Sequence, residues 1–386
     1  MEAIHRVGLE EVVEHFKDLE DPRSPVNLKH PLTSVVVIAL LAVLAGADGP
    51  TAIARWAKFK GEFLMKVLDL PNGIPCKDVF RNVLSALQPR VFQNCFVNWV
   101  QLLRAKATAA LGIEQPIFSV DGKTARRSHD QSKGLGALHS VSVWASELGL
   151  SLGQVACAEK SNEITAIPEV LRLVDIRGAI ITIDAMGTQK KIAAEIIDLK
   201  ADYVLALKGN QEKLHDAVIA YIDKQMENDF ADAQARRHIT KETGHGRKEI
   251  RSYIQMPVPK DLEQLDLWKG LKSIGMATLV CVRNGKETAD TRYYISSLEV
   301  GVKQFGHAVR SHWGIENGCH WSLDIIYRED QSRIRDEHMR ENFAWLNRLT
   351  LSLLKQHPGK DSTIMKRRGC GWNEDFLLEV LTGATL

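Results

Sequence analysis

PIFSVDGK, residues 116–123, is where the chain changes character. Before it, apolar residues recur at helical spacing. From Pro116 they follow a strand period of two. The run reads as a buried strand ending at Asp121 and Gly122. Residues 137–146 and 150–158 read as two more strands, joined by a turn at 147–149. A helix follows over 163–174, with Asn162 as its N-cap. AIITIDA, 179–185, is a β-branched strand that also ends in an acid, Asp184. A helix over 188–199 and the strand ADYVLALK, 201–208, complete the pattern. Three strands, then helix, strand, helix, strand predict an α/β fold whose mixed sheet is flanked by helices.

Upstream, residues 1–112 read as an all-helical domain. A short helix over 9–16 stops at DPRSP, 21–25. Residues 32–47 form a helix apolar nearly all round, which belongs inside a small helical domain. Further helices are expected over 51–68, 75–87 and 89–111. The aromatics Phe92, Phe96 and Trp99 fall at helical spacing in the last of them and suit a core. The domain could also bind DNA, although no recognition helix stands out.

Downstream, 113–210 reads as the first part of a catalytic domain and 211–300 as a β-rich insertion. The insertion holds a helix over 211–228, a basic strand pair around GHGRKEIRS, and strands at 272–283 and 291–297. Residues 301–386 return to helices, including one over 337–355, and close in the basic tail MKRRGCGW.

RSHWGIENGCHWSLDIIYREDQSRIR, 310–335, packs acids, arginines, two histidines and two tryptophans together. In a helix, His312, Glu316, His320 and Asp324 share one face. Gly314 and Gly318 would each cost that helix roughly 1 kcal/mol against Ala, which points to close backbone approach by another element. Asp121 and Asp184 on neighbouring parallel strands, with Glu316 packed over the same edge, would make an all-oxygen cage suited to Mg²⁺ or Mn²⁺ rather than Zn²⁺. Strand-end aspartates also serve as turn or cap residues, so spacing alone leaves both readings open.

The chain has 386 residues, 45% of them hydrophobic and 25% charged, with a net charge of +2. That is a soluble globular composition, only mildly basic, so any case for nucleic acid rests on local clusters. Six scattered cysteines without a C-x-x-C pair, and no signal peptide, suit reduced thiols in the cytoplasm. The longest apolar run, 35–47, is too short for a bilayer, so no membrane role is expected.

SVDGKTARRS, HSVSVWASELGLSLGQ, EKSNEITAIPEVL, ITIDAMGTQKKIA, ADYVLALKGNQ, HGRKEIRSY and the 310–335 block resemble, in order, those of a bacterial insertion-sequence transposase family. It is the family that includes the H-repeat-associated transposases, with a ribonuclease H-like DDE catalytic domain. KHPLTSVVVIALLAVLAGADG resembles the helical domain associated with it, so the likeness spans nearly the whole chain. The resemblance implies Asp121, Asp184 and Glu316 as the catalytic, metal-binding acids, with two Mg²⁺ (or Mn²⁺) ions. It implies double-stranded DNA, element ends and target, as substrate, a nucleoid-associated protein, and a homodimer if two ends are synapsed. PCKDVFRNVL, ARRS and Asn347 depart from the family pattern without touching the acids. A nuclease without strand transfer, and a decayed DNA-binding remnant, are the other readings.

Lys123, Arg126 and Arg127 follow the first acid and read either as DNA-phosphate contacts or as a solvated basic loop. In the insertion, Arg236, Arg237, Lys241, Arg247, Lys248 and Arg251 outnumber the acids and read as DNA contacts or as an exposed hairpin. Arg310, Arg333 and Arg335 are further candidates for phosphate. His312 and His320 suit a proton relay or phosphate contact, and Asp324 is the substitute acid should Glu316 fail. His307, His312, Cys319 and His320 match no structural zinc spacing. Trp313 and Trp321 read as core rather than as stacking platforms.

Overall fold

The computed structural model describes residues 9–10, 12–26, 28–157, 163–244 and 246–382, without the side chain of Asn98. Asn162, expected as an N-cap, and His245 of the basic strand pair lie outside them. The N-terminal third is helical: α1 (Leu32–Leu44), α2 (Pro50–Phe59), α3 (Gly61–Val67), α4 (Lys77–Ala86) and α5 (Pro89–Leu111). Every residue of α1 except Thr33 is buried, as an all-round apolar helix requires. The single helix expected over 51–68 is two, because the chain bends at Lys60. α5 ends at Gly112 in the left-handed conformation, φ 62°, that favours glycine as a helix stop.

The middle of the chain forms one nine-stranded sheet. Its elements are β1 (Ile117–Ala125), β2 (Leu138–Ala145), β3 (Leu150–Cys157), α6 (Glu163–Leu173), β4 (Ile180–Ile183), α7 (Lys190–Asp198) and β5 (Asp202–Leu207). They continue with α8 (Glu212–Glu227), β6 (Arg236–Gly244), β7 (Arg247–Pro257), β8 (Ser273–Arg283) and β9 (Lys286–Ser296). The strand order is β3-β2-β1-β4-β5-β9-β8-β7-β6. β1 runs antiparallel to β2 and parallel to β4, and β4 runs parallel to β5. These five strands make a mixed sheet, as the strand and helix pattern predicts. The strands of 211–300 do not stand apart from it. They extend it from β5 through an antiparallel β9.

β1 does not stop at Asp121. It pairs with β2 as far as Ala125↔Leu138, whereas its pairing with β4 ends at Val120↔Ile183. Asp121 is therefore mid-strand toward one neighbour and at the strand end toward the other.

The chain closes with α9 (Val302–Gly314), a π-helical segment (Ile315–His320), α10 (Trp321–Ile325), α11 (Glu337–Gln356), α12 (Thr363–Trp372) and α13 (Glu374–Thr382). The long buried face of α11 packs against β3 on one side and α1, α4 and α5 on the other, joining the two layers in one apolar core. The basic tail is no free tail. MKRRGCGW lies in α12, where Arg367 donates to Val43 O at 3.1 Å and to Ile326 O at 2.5 Å. The Arg367 guanidinium also stacks 4.0 Å over the Tyr327 ring. No described helix is long and apolar enough to cross a membrane.

Candidate active site

The register builds the centre of the site. Because Val120 faces Ile183 on parallel strands, the next residue on each chain is an acid: Asp121 beside Asp184. Each carboxylate is aimed by a local amide. Gly122 N–H donates to Asp121 Oδ1 at 2.8 Å, and Gly187 N–H to Asp184 Oδ1 at 3.1 Å.

α9 crosses this edge. Ser119 Oγ and Ser146 Oγ both donate to Ser311 O, at 3.2 and 2.8 Å, and so pin the helix to the sheet. A Cβ on Gly314 would lie 2.5 Å from Ser146 Oγ, so here close approach is the reason for glycine. At Gly318 the nearest atom would be 3.5 Å away on Trp144, an ordinary contact, and the same account does not hold.

The expected face survives, although the helix is wound wide over Ile315–His320. His312 Nδ1 is 3.1 Å from Thr182 Oγ1 on β4, and His320 Nδ1 is 3.6 Å from Asp121 Oδ2. Asp324 Oδ1 takes the Lys123 ammonium at 2.6 Å. Glu316 is exposed between them, its charge within reach of Asp121. Burial first, then the Asp184, Glu316 and Glu163 carboxylates, push the Asp121 carboxyl up to about 7. Burial presses His312 down to about 4 and His320 to about 3, which leaves both rings neutral at pH 7.

A carboxyl pushed up by burial and, after that, by acidic neighbours is what an acid cluster gives in the absence of a balancing cation. The donors are carboxylate oxygens, the chemistry of Mg²⁺ and Mn²⁺. Among the described residues no three acid, histidine or cysteine side chains converge as a ready cage. Beside the acids opens a groove of about 520 Å³, with Asp184, Glu316, His312, Lys208, His215 and Arg292 on its walls.

Three side chains behind the acids escaped the sequence reading. His139 is hydrogen-bonded through both ring nitrogens, to Thr124 Oγ1 and Glu163 Oε1, each at 2.7 Å. A Cβ on Gly122 would strike both the Glu163 carboxylate, at 2.4 Å, and the His139 ring, at 2.7 Å. The glycine after Asp121 thus serves close packing, and GK at that point was the available signal.

Several expected contacts lie elsewhere. Lys123 is turned inward rather than set in a solvated loop. It is buried, and besides Asp324 it faces Asp330 at 3.4 Å and Glu329 at 3.9 Å. Glu329 also takes the buried Arg348 guanidinium at 3.1 Å. Arg251 is likewise withdrawn, buried between Glu242 and Glu249. Arg126 is exposed and reaches Asp330 at 3.2 Å, and Arg127 is exposed. Arg247 pairs with Glu249 at 2.9 Å, while Lys248 is exposed. Arg310 sits 3.7 Å from Glu242 and, with Arg292, over the Trp313 ring. Trp321 is 57% exposed and is not core. Arg333 and Arg335 are exposed in a cleft against the helical domain.

The model of the transposase DDE domain matches residues 112–353, and that of its associated domain matches residues 13–100. The chain belongs to the transposase DDE-domain family. It is 37% identical to "Putative transposase YncI" of Escherichia coli O157:H7, over 98% of this chain and 96% of that one. It is 34% identical to "H repeat-associated putative transposase YhhI" of Escherichia coli (strain K12), over 98% and 99%. A solved piggyBac transposase synaptic complex with hairpin DNA aligns at 9% identity and a TM-score of 0.40, covering 99% of this chain and 80% of that one.

Proposed function

We infer that this transposase-family chain cleaves DNA phosphodiesters at the ends of an insertion sequence and joins the freed ends to target DNA. The observation that carries the reading is the strand register that sets Asp121 beside Asp184, with Glu316 on the helix above. We assign these three acids as ligands of two divalent cations. Such ions would activate the attacking oxygen and stabilise the leaving one.

The protein's own part is positioning. Two backbone amides fix Asp121 and Asp184. Thr182 holds the neutral His312 ring on the groove wall, where it can meet a water or a phosphate oxygen. Lys208 gives the groove positive charge for the DNA backbone, beside Arg292, which pairs with Asp290 at 2.9 Å. Water attacks in line first and a freed 3′-hydroxyl attacks second, so no covalent enzyme–DNA adduct forms. Arg126, Arg127, Lys248, Arg310, Arg333 and Arg335 are proposed as backbone contacts, and a homodimer as the form that holds two ends.

A supercoiled plasmid carrying the inverted repeats that flank the gene tests this. In Mg²⁺, nicked and joined products should appear with the native chain and vanish with EDTA or Asp121→Asn. Cleavage without joined products would reduce the reading to a nuclease. Binding without cleavage in both Mg²⁺ and Mn²⁺ would overturn the enzyme, and a denaturation-resistant protein–DNA adduct would overturn the mechanism.

A further inference from the structure

A second basic cavity lies away from the acids, where the helical domain meets the strap between α10 and α11. This cleft of about 530 Å³ has Lys77 and Arg81 of α4 on one wall and Arg328, Arg333 and Arg335 of the strap on the other. All five are exposed at the surface. Its acids are Asp48, Asp78 and Glu329, and two of these are already engaged. Asp78 pairs with Arg81 at 3.0 Å, and Glu329 with Arg348 at 3.1 Å. Among the described residues, Lys77, Arg328, Arg333 and Arg335 have no carboxylate within ion-pair distance. Such charges facing one another across a cleft repel, and a polyanion between them removes the repulsion.

The strap's backbone gives an independent observation. Arg328 sits at φ 55°, ψ 36°, a left-handed conformation that L-residues other than Asn and Asp avoid. Backbone held this way is kept where the surrounding structure or function requires it. The turn it makes sends Glu329 inward to Arg348 and toward Lys123, two residues from Asp121, and leaves Arg328 outward on the cleft. One turn therefore joins the cleft to the strand that bears the first acid.

We propose that this cleft seats the phosphodiester backbone of duplex DNA, so that α4 is the DNA-contacting element of the helical domain. The proposal rests on the transposase reading above and gives the helical domain its part in that function. The cations are spread along two walls from two parts of the chain rather than converging on one point. That arrangement suits a run of phosphates better than a single small anion.

The test uses the full chain and a fluorescent duplex of the inverted repeat, in Ca²⁺ or EDTA, with affinity measured from low to moderate salt. Each phosphate contact contributes about 0.9 to the slope of log K against log salt. The doubles Lys77→Ala/Arg81→Ala and Arg333→Ala/Arg335→Ala should each flatten that slope by about 1 to 2. Lys77→Arg/Arg81→Lys should keep it, as should Lys106→Ala, an exposed cation outside the cleft. Doubles that bind with the native slope, while the native chain binds and cuts, would overturn the cleft alone. If they instead keep the slope but lose self-association by light scattering, the cleft is a protein interface and the proposal fails. A native chain that does not bind the duplex removes the transposase reading and the cleft together.

Discussion

The two halves of the sheet treat charge in opposite ways. In the β1–β5 half, charged groups are drawn inward. Asp121 and Asp184 meet at a strand edge, and Lys123 is buried under three acids. In the β6–β9 half, β6 is exposed along nearly its whole length, and Arg236, Lys241 and Lys248 face solvent. Arg251 alone repeats there, between two acids, what Lys123 does at the centre. The same residue types thus build a packed charge cluster where the strands are covered and a solvated face where they are not. Position in the sheet, rather than composition, decides the role.

That contrast is sharpest in catalysis. Glu316→Gln and Asp184→Asn should each lower the DNA cleavage rate about a thousandfold or more, equivalent to several kcal/mol of lost charge stabilisation, while duplex binding persists. Lys248→Ala should weaken binding without silencing cleavage. Gel-based rates and affinities read side by side separate the two; equal losses in both would erase the distinction.

The buried cations come next. Lys123→Met leaves Asp324 and Asp330, both partly open to water, without their cation while Glu329 keeps Arg348, and should cost about 1 to 3 kcal/mol in a urea melt. Arg251→Met should cost about as much, because the buried Glu249 keeps Arg247 at 2.9 Å and the half-exposed Glu242 can turn to water.

Acidity gives a third test. The Asp121 carboxyl is held neutral to about pH 7 in the fold but ionises near 3.8 when unfolded. A raised folded value stabilises at low pH and loses that stabilisation as pH climbs from about 4 to 7. In EDTA, Asp121→Asn should therefore gain on the native chain by up to about 4 kcal/mol at pH 8 and show little gain at pH 4. His312 and His320 drift the other way, but they do so in both proteins, and the difference largely removes them. A pH-independent difference would contradict the carboxylate cluster.

The smallest effects come from paired glycines. Gly314→Ala should cost about 1 to 3 kcal/mol through its collision with Ser146. Gly318→Ala meets only ordinary contact and should be neutral, or favourable by up to about 1 kcal/mol from helix propensity. Thermal melts of the two variants suffice.

Much of the β1–β5 half could be read in advance because its strands are β-branched runs whose period leaves little choice. Spacing marks Asp121, Asp184 and Glu316 only as candidates, since β1 runs on past Asp121 to Ala125, and the family resemblance is what implies all three as the acids. What escaped depends on residues far apart in sequence. Lys123 looks like one more basic residue after the first acid until Asp324, 201 positions on, closes over it. MKRRGCGW looks exposed until Arg367 is seen meeting a carbonyl at the end of α1. Glu163 and His139 come from different elements and meet only because Gly122 leaves them space. No local pattern encodes such meetings.

The wide-wound turn at Ile315–His320 also marks copies of the gene. Before it, His312 addresses β4, while His320 at its end and Asp324 after it address β1. Each residue advances a helix by about 100°, so one deletion within the turn would swing the later pair off the sheet while leaving every acid in the sequence. A homologue can therefore keep its three acids and still have lost the spacing that aims them. The interval from His312 to Asp324, twelve residues here, is the spacing that such a deletion would shorten.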